Sequence, residues 1–123
     1  MSALFDRRLA TYRRRHAAQE AFYAANVAPL NEAHDRLGDD LRSRNSREWR
    51  ESLERVWSAE KKSDRYFSRT FDACLSLLDA PAPSLEALAT KLEIAIAEGV
   101  IGLRDENANR AAEALLADVR RLA

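Results

Sequence analysis

Residues 45–83 read NSREWRESLERVWSAEKKSDRYFSRTFDACLSLLDAPAP, and their spacing decides the fold. Trp49, Leu53, Val56, Glu60, Ser63, Phe67, Phe71, Cys74 and Leu78 recur at steps of three or four, so they share one helix face. The helix begins at Asn45 or Ser46. Asn45 as N-cap would put Glu48 at N3 and close a capping box. Ala80-Pro81-Ala82-Pro83 ends it, because a residue before proline is pushed out of the α region. At 1.5 Å per residue such a helix is roughly 50 Å long.

Upstream, the same spacing predicts a second long helix over residues 3–37. Its stripe is Phe5, Leu9, Tyr12, His16, Glu20, Tyr23, Val27, Leu30, His34 and Leu37. Pro29 removes an amide donor and clashes with the carbonyl of Ala25, which predicts a kink or short break over residues 27–29. Downstream, Ser84 is a good N-cap, and Leu85, Leu88, Leu92 and Ile96 form a third stripe. Gly99 and Gly102 interrupt it. A last helix over residues 104–122 carries Ala108, Ala111, Leu115, Val119 and Leu122, and it closes on Arg120 and Arg121, where cations complement the helix dipole.

Composition agrees. The 123 residues include 23 Ala and 16 Leu, against seven Val and Ile together and three each of Gly and Pro. Ala and Leu favour helix, whereas β-branched residues favour strand. The expected fold is all-α: an elongated antiparallel helical bundle. It has two long helices plus a broken third leg of two shorter helices, in a single helical domain over residues 1–123. Short loops and near 3.5-residue spacing give antiparallel, coiled-coil-like crossings. Such a bundle has a thin core, and association as a homodimer would bury more apolar surface.

The 20 basic and 20 acidic side chains cancel, which argues against an overall basic nucleic-acid binder, and the apolar content argues against disorder. No apolar run approaches 18 residues, so no membrane span is expected. The single Cys74 excludes an internal disulfide and a four-Cys metal cage, and its apolar helical context reads as a small buried hydrophobe. The start of the chain lacks the apolar core of a signal peptide. With the lone cysteine, this makes a cytoplasmic location the expectation.

Both long stripes turn polar halfway. If the chain turns near Ser43, residue i faces residue 85 minus i. His16 and Glu20 then approach Glu60, Asp64, Arg65 and Arg69 in a mid-helix polar belt. Buried polar groups are costly unless paired, so the belt is a salt-bridge layer, a ligand or metal site, or a stretch turned to solvent by drift of the stripe. In the last case Trp57 and Tyr66, one position off the stripe, supply the apolar face. Established constellations are missing. There is no Glu-x-x-His ahead of His16 or His34, no Arg in the windows before them used by small helical nucleases, no phosphate-binding glycine loop, no His-Glu-x-x-His and no Gly-x-Ser-x-Gly. Two histidines and one cysteine leave few groups for acid–base or thiol chemistry. The expectation is a non-enzyme without cofactor or metal.

Charge is uneven along the chain. Arg7, Arg8, Arg13, Arg14 and Arg15 gather against Asp6 alone. Arg47 and Arg50 flank Trp49 among mixed charges, with Glu51 and Arg55 spaced for an i, i+4 pair. The last leg is mildly acidic. The clusters are candidate contacts for a partner protein or for phosphates, although no helix-turn-helix pattern is visible.

The run Leu77 to Glu93, with its Ala80-Pro81-Ala82-Pro83 break and Leu88-Ala89-Thr90-Lys91-Leu92 helix, together with the ending Asp118-Val119-Arg120-Arg121-Leu122, resembles small uncharacterised helical proteins of alphaproteobacteria. Some of those lie near prophage or mobile-element genes. The resemblance covers about the last 45 residues. It implies a bacterial accessory protein and a protein partner, and it brings no activity or catalytic residue. The leading expectation is thus a non-enzymatic protein-interaction module, an inhibitor or adaptor of a host protein. Nonspecific nucleic-acid association through the N-terminal arginines is the first alternative. A metal- or ligand-binding bundle built on the polar belt is the second.

Overall fold

The computed structural model describes residues 3–38, 46–102 and 104–123. It is an all-α helical bundle with no strand among the described residues. Helix α1 (Ala3–Phe22) passes through a π-helical turn (Tyr23–Val27) into α2 (Ala28–Gly38); α3 (Arg47–Asp79), α4 (Leu85–Ala97) and α5 (Glu106–Leu122) follow, with a 3-10 turn (Val100–Gly102) between the last two. No helix among the described residues is long and apolar enough to cross a membrane.

Local chemistry explains each boundary. Proline at 29 does not break the first helix. The preceding turn widens instead, and the amide of Ala28 donates to the carbonyl of Tyr23, five residues back. The widened turn lies just before the expected site because the displaced carbonyl, that of Ala25, precedes the ring by four residues. Asn26 Nδ2 donates to Phe22 O at 3.2 Å and satisfies a carbonyl at the edge of that turn. Ser46 caps α3, its Oγ accepting from the Trp49 amide at 3.1 Å. Asn45 and the turn expected near Ser43 lie outside the described residues. Ser84 caps α4 through the Ala87 amide, and Asp105 caps α5 through the Ala108 amide. Gly99 follows α4 with φ +72°, a left-handed conformation that closes helices and that glycine adopts without steric cost.

The chain packs as two compact units, Met1–Arg15 with Arg69–Ala123, and His16–Ser68. The first holds the main core. Phe5 and Tyr12 of α1, Cys74, Leu77 and Leu78 of α3, Leu88 and Ala95 of α4, Val100 and Ala111 of α5 form one buried cluster. The broken third leg resolves here as a hairpin of α4 and α5. In the second unit Phe22 stacks on Tyr66, with ring centroids 4.5 Å apart, and His34 packs against Trp49 at 5.1 Å. Nδ1 of His34 also shares a 3.1 Å hydrogen bond with Ser52 Oγ. Later residues of the α1–α2 stretch in this unit meet earlier residues of α3, so the two run antiparallel.

One polar network joins the three parts of the motif quoted above. Lys91 on α4 is fully buried, and so, nearly, is Asp118 on α5. Lys91 Nζ donates to Asp118 Oδ2 at 2.5 Å and to Ala80 O at 2.8 Å. The Ala82 amide donates to Asp118 Oδ1 at 3.0 Å, and Arg121 Nη2 donates to the same oxygen at 2.9 Å and to Ala82 O. Burial alone would raise the Asp118 carboxyl. The hydrogen bonds from Lys91, Ala82 and Arg121, with the Lys91 charge, outweigh it and hold the group below the usual carboxylate range. The Ala-Pro-Ala-Pro elbow, the lysine and the C-terminal aspartate and arginine are therefore one structural lock. It fixes the hairpin against the end of α3.

Candidate functional site

The mid-helix polar belt does not form. Glu20, Glu60, Asp64 and Arg65 are exposed, and His16 is part-exposed, 3.6 Å from Glu20 in an i, i+4 pair. Drift of the stripe is the cause. From Phe5 to Glu20 the stripe advances fifteen residues in four steps, wider than a helical turn of 3.6, so it slips sideways by roughly 60°. The buried track passes through Gln19 in place of Glu20, and through Ala59 and Ser63. Tyr66 supplies apolar surface there through Phe22, as expected; Trp57 does not, being 59% exposed. Among the described residues no group of three or more His, Cys, Asp and Glu side chains is placed to hold a metal ion. Two buried atoms, Gln19 Oε1 and Ser63 Oγ, lack a hydrogen-bond partner among the described residues.

Cys74 is fully buried and, by burial first and the Glu98 charge second, its thiol is pushed up to about 12. A thiol so protonated is a poor nucleophile. Glu98 in turn accepts a 2.5 Å hydrogen bond from Tyr12 Oη, which ties α1 to the end of α4.

Of the N-terminal arginines, Arg7, Arg13, Arg14 and Arg15 are exposed and Arg8 is half-buried, and the five do not form one cluster. Arg7, Arg8, Arg14 and Arg15 share a helix side with Thr11, while Arg13 projects from the other. Arg8 Nη1 donates to Ser76 O at 2.7 Å. Beside it a shallow groove of about 220 Å³ is lined by Arg8, Thr11, Arg15, Asp72, Ala73 and Ser76. Arg47 and Arg50 are exposed at the start of α3, and Trp49 is half-buried against His34. Trp49 is thus committed to packing. The expected Glu51–Arg55 pair is replaced by Arg47 Nε to Glu51 Oε1 at 2.9 Å. Glu51 turns toward the helix N-terminus, where an acidic group is favoured. Arg55 has no ion pair among the described residues.

A second groove, of about 310 Å³, lies in the unit His16–Ser68. Phe22, Leu30 and buried Ala59 form its apolar part; Asn26, Ser58, Arg55 and Lys62 are its exposed lining. Sequence reading missed it. The signal was present in Arg55, Ser58, Ala59 and Lys62, spaced i, i+3, i+4, i+7 on one face of α3.

The third stripe is inverted. Leu85, Leu92 and Ile96 were expected to face the core with Leu88, yet Leu85 is 66% and Ile96 67% exposed, and Leu92 is exposed too. Ala87, Leu88, Lys91 and Ala95 are the buried face of α4. With Ala89, the exposed residues make a stripe at steps of four, three and four, bordered on one side by exposed Glu86 and Glu93. Leu116 and Val119 of α5 are also exposed. No family model, curated protein or solved structure matches this chain.

Proposed function

We propose that the protein is an interaction module that grips a partner protein through the outer face of its α4–α5 hairpin. It is proposed to act in the cytoplasm and without catalysis of its own, as an accessory protein of the bacterial, mobile-element-associated kind that the C-terminal resemblance implies. One observation carries this reading. Of the ten large apolar side chains left exposed among the described residues, six lie between Leu85 and Val119: Leu85, Leu92, Ile96, Ile101, Leu116 and Val119. Scattered single exposed apolar residues need no explanation, but a concentration on one hairpin is the mark of a contact surface. The hairpin is held rigid by the Lys91–Asp118–Arg121 network, so little ordering cost accompanies contact. A pull-down from lysate of the source organism tests this. The wild type should retain a partner at near-stoichiometric amounts, and Leu92→Glu with Ile96→Glu should lose it. Recovery of no partner, or equal recovery by the variant, contradicts the reading.

The groove beside Arg8 and Arg15 supports a second reading, association with phosphates. These arginines are seven residues apart, roughly 10 Å along the helix, a span comparable to about three phosphates on one duplex strand. No aromatic lines the groove, so base stacking would contribute nothing. Binding to labelled duplex should weaken steeply between about 50 and 200 mM salt. A flat or absent signal at the low end removes this reading.

A further inference from the structure

We infer that the partner for the α4 stripe is a second copy of this chain, whose groove at Phe22, Leu30 and Ala59 receives it. The inference rests on the interaction reading above and gives that reading an occupant. Its basis is a match of charge and spacing between two surfaces that the single chain leaves unsatisfied.

On the groove side, Arg55 and Lys62 stand seven residues apart on one face of α3 and line an apolar groove of about 310 Å³. Neither has an ion pair among the described residues, because Glu51, the carboxylate spaced to reach Arg55, bonds to Arg47 instead. The helical neighbours of Lys62 at three and four residues are Ser58, Ala59, Arg65 and Tyr66, none of them acidic. On the α4 side, Leu85 and Leu92 stand seven residues apart, and so do their neighbours Glu86 and Glu93. Both glutamates are exposed and neither has an ion pair among the described residues. Seven residues are two helical turns, roughly 10 Å, so the two carboxylates repeat at the interval of the two cations. In heptad terms Leu85 and Leu92 occupy d, and Ala89 and Ile96 occupy a. Glu86 and Glu93 then fall at e, a position that sets partner choice by charge. An apolar stripe with an acidic border thus faces an apolar groove with a basic border.

The contact joins two different surfaces of one chain, so it is heterologous, and charge reversal on either side can be rescued by reversal on the other. Sedimentation velocity of the full chain over a concentration series supplies the test. The wild type should show a rising mass-average s-value, reduced by salt. E86K with E93K, and separately R55E with K62E, should each weaken association by roughly tenfold or more. An equimolar mixture of the two double variants should regain it. All four positions are exposed and without ion pairs, and circular dichroism of each variant checks that the helices persist. A wild type that stays monomeric throughout, a variant that associates as the wild type does, or a mixture that stays monomeric overturns the second-copy proposal. A monomeric wild type whose α4 stripe still captures another protein overturns only this proposal. A monomer that captures nothing overturns the interaction reading as well.

Discussion

Lys91 and Asp118 show how far one residue pair can redirect a helix. A lysine between Leu88 and Leu92 reads as a solvent-facing residue, and its partner is 27 positions away, so periodicity alone assigns the leucines to the core. Once paired and hydrogen-bonded, the ammonium tolerates complete burial and Leu85, Leu92 and Ile96 swing outward. Lys91→Met removes the buried cation and leaves Asp118 paired with half-exposed Arg121 alone, which should cost about 3 kcal/mol in urea unfolding. The pH dependence has a definite sign. The folded carboxyl of Asp118 lies below its unfolded value, so its contribution is complete above the ordinary carboxylate range, about 4, and is lost as pH falls through the folded value. Asp118→Asn should lose stability at neutral pH and show a shallower decline in acid than the wild type. Gln19 and Ser63 make the opposite case. Their buried oxygens lack partners among the described residues, so Gln19→Leu with Ser63→Ala should hold or raise stability, by about 1 kcal/mol. A fall in the urea midpoint would show that those atoms are satisfied in solution.

At the scale of the element, caps and breakers were legible because they act locally. Ser84 and the Ala-Pro-Ala-Pro elbow announce their roles within a few residues, and the helices end where these residues predict. Pro29 was read correctly as a disturbance but not as a π turn, since the choice between a kink and a widened turn depends on packing. Val27, the fully buried last residue of that turn, is such a packing contact. Pro29→Ala returns an amide that can reach the Ala25 carbonyl. It should stabilise the protein by about 1 kcal/mol, less than the full penalty of an interior proline because the π turn already absorbs part of it. Lower stability in that variant would mean that Val27 packing, not proline, holds the turn. The polar belt failed for a different reason: the four steps from Phe5 to Glu20 overrun the 3.6-residue turn by roughly 60° in all, enough to move a side chain from core to solvent. Its glutamates are surface residues, and the grooves nearby depend on contacts between helices that no single stripe encodes.

For the whole molecule, the balanced charge of the sequence hides a division of labour. Arg55 and Lys62 line a groove that holds no carboxylate, while α4 carries Glu86 and Glu93, without ion pairs among the described residues, along an apolar stripe. The central claim is that the fold presents the α4 stripe and does not bury it. Urea unfolding of dilute protein tests this most directly, comparing Leu92→Gln with Ile96→Gln against the core control Leu88→Ala. Each stripe substitution should change stability by no more than about 0.5 kcal/mol, whereas Leu88→Ala should cost about 2–5 kcal/mol. A loss of several kcal/mol from the stripe variants would place Leu92 and Ile96 in the core and contradict the central claim.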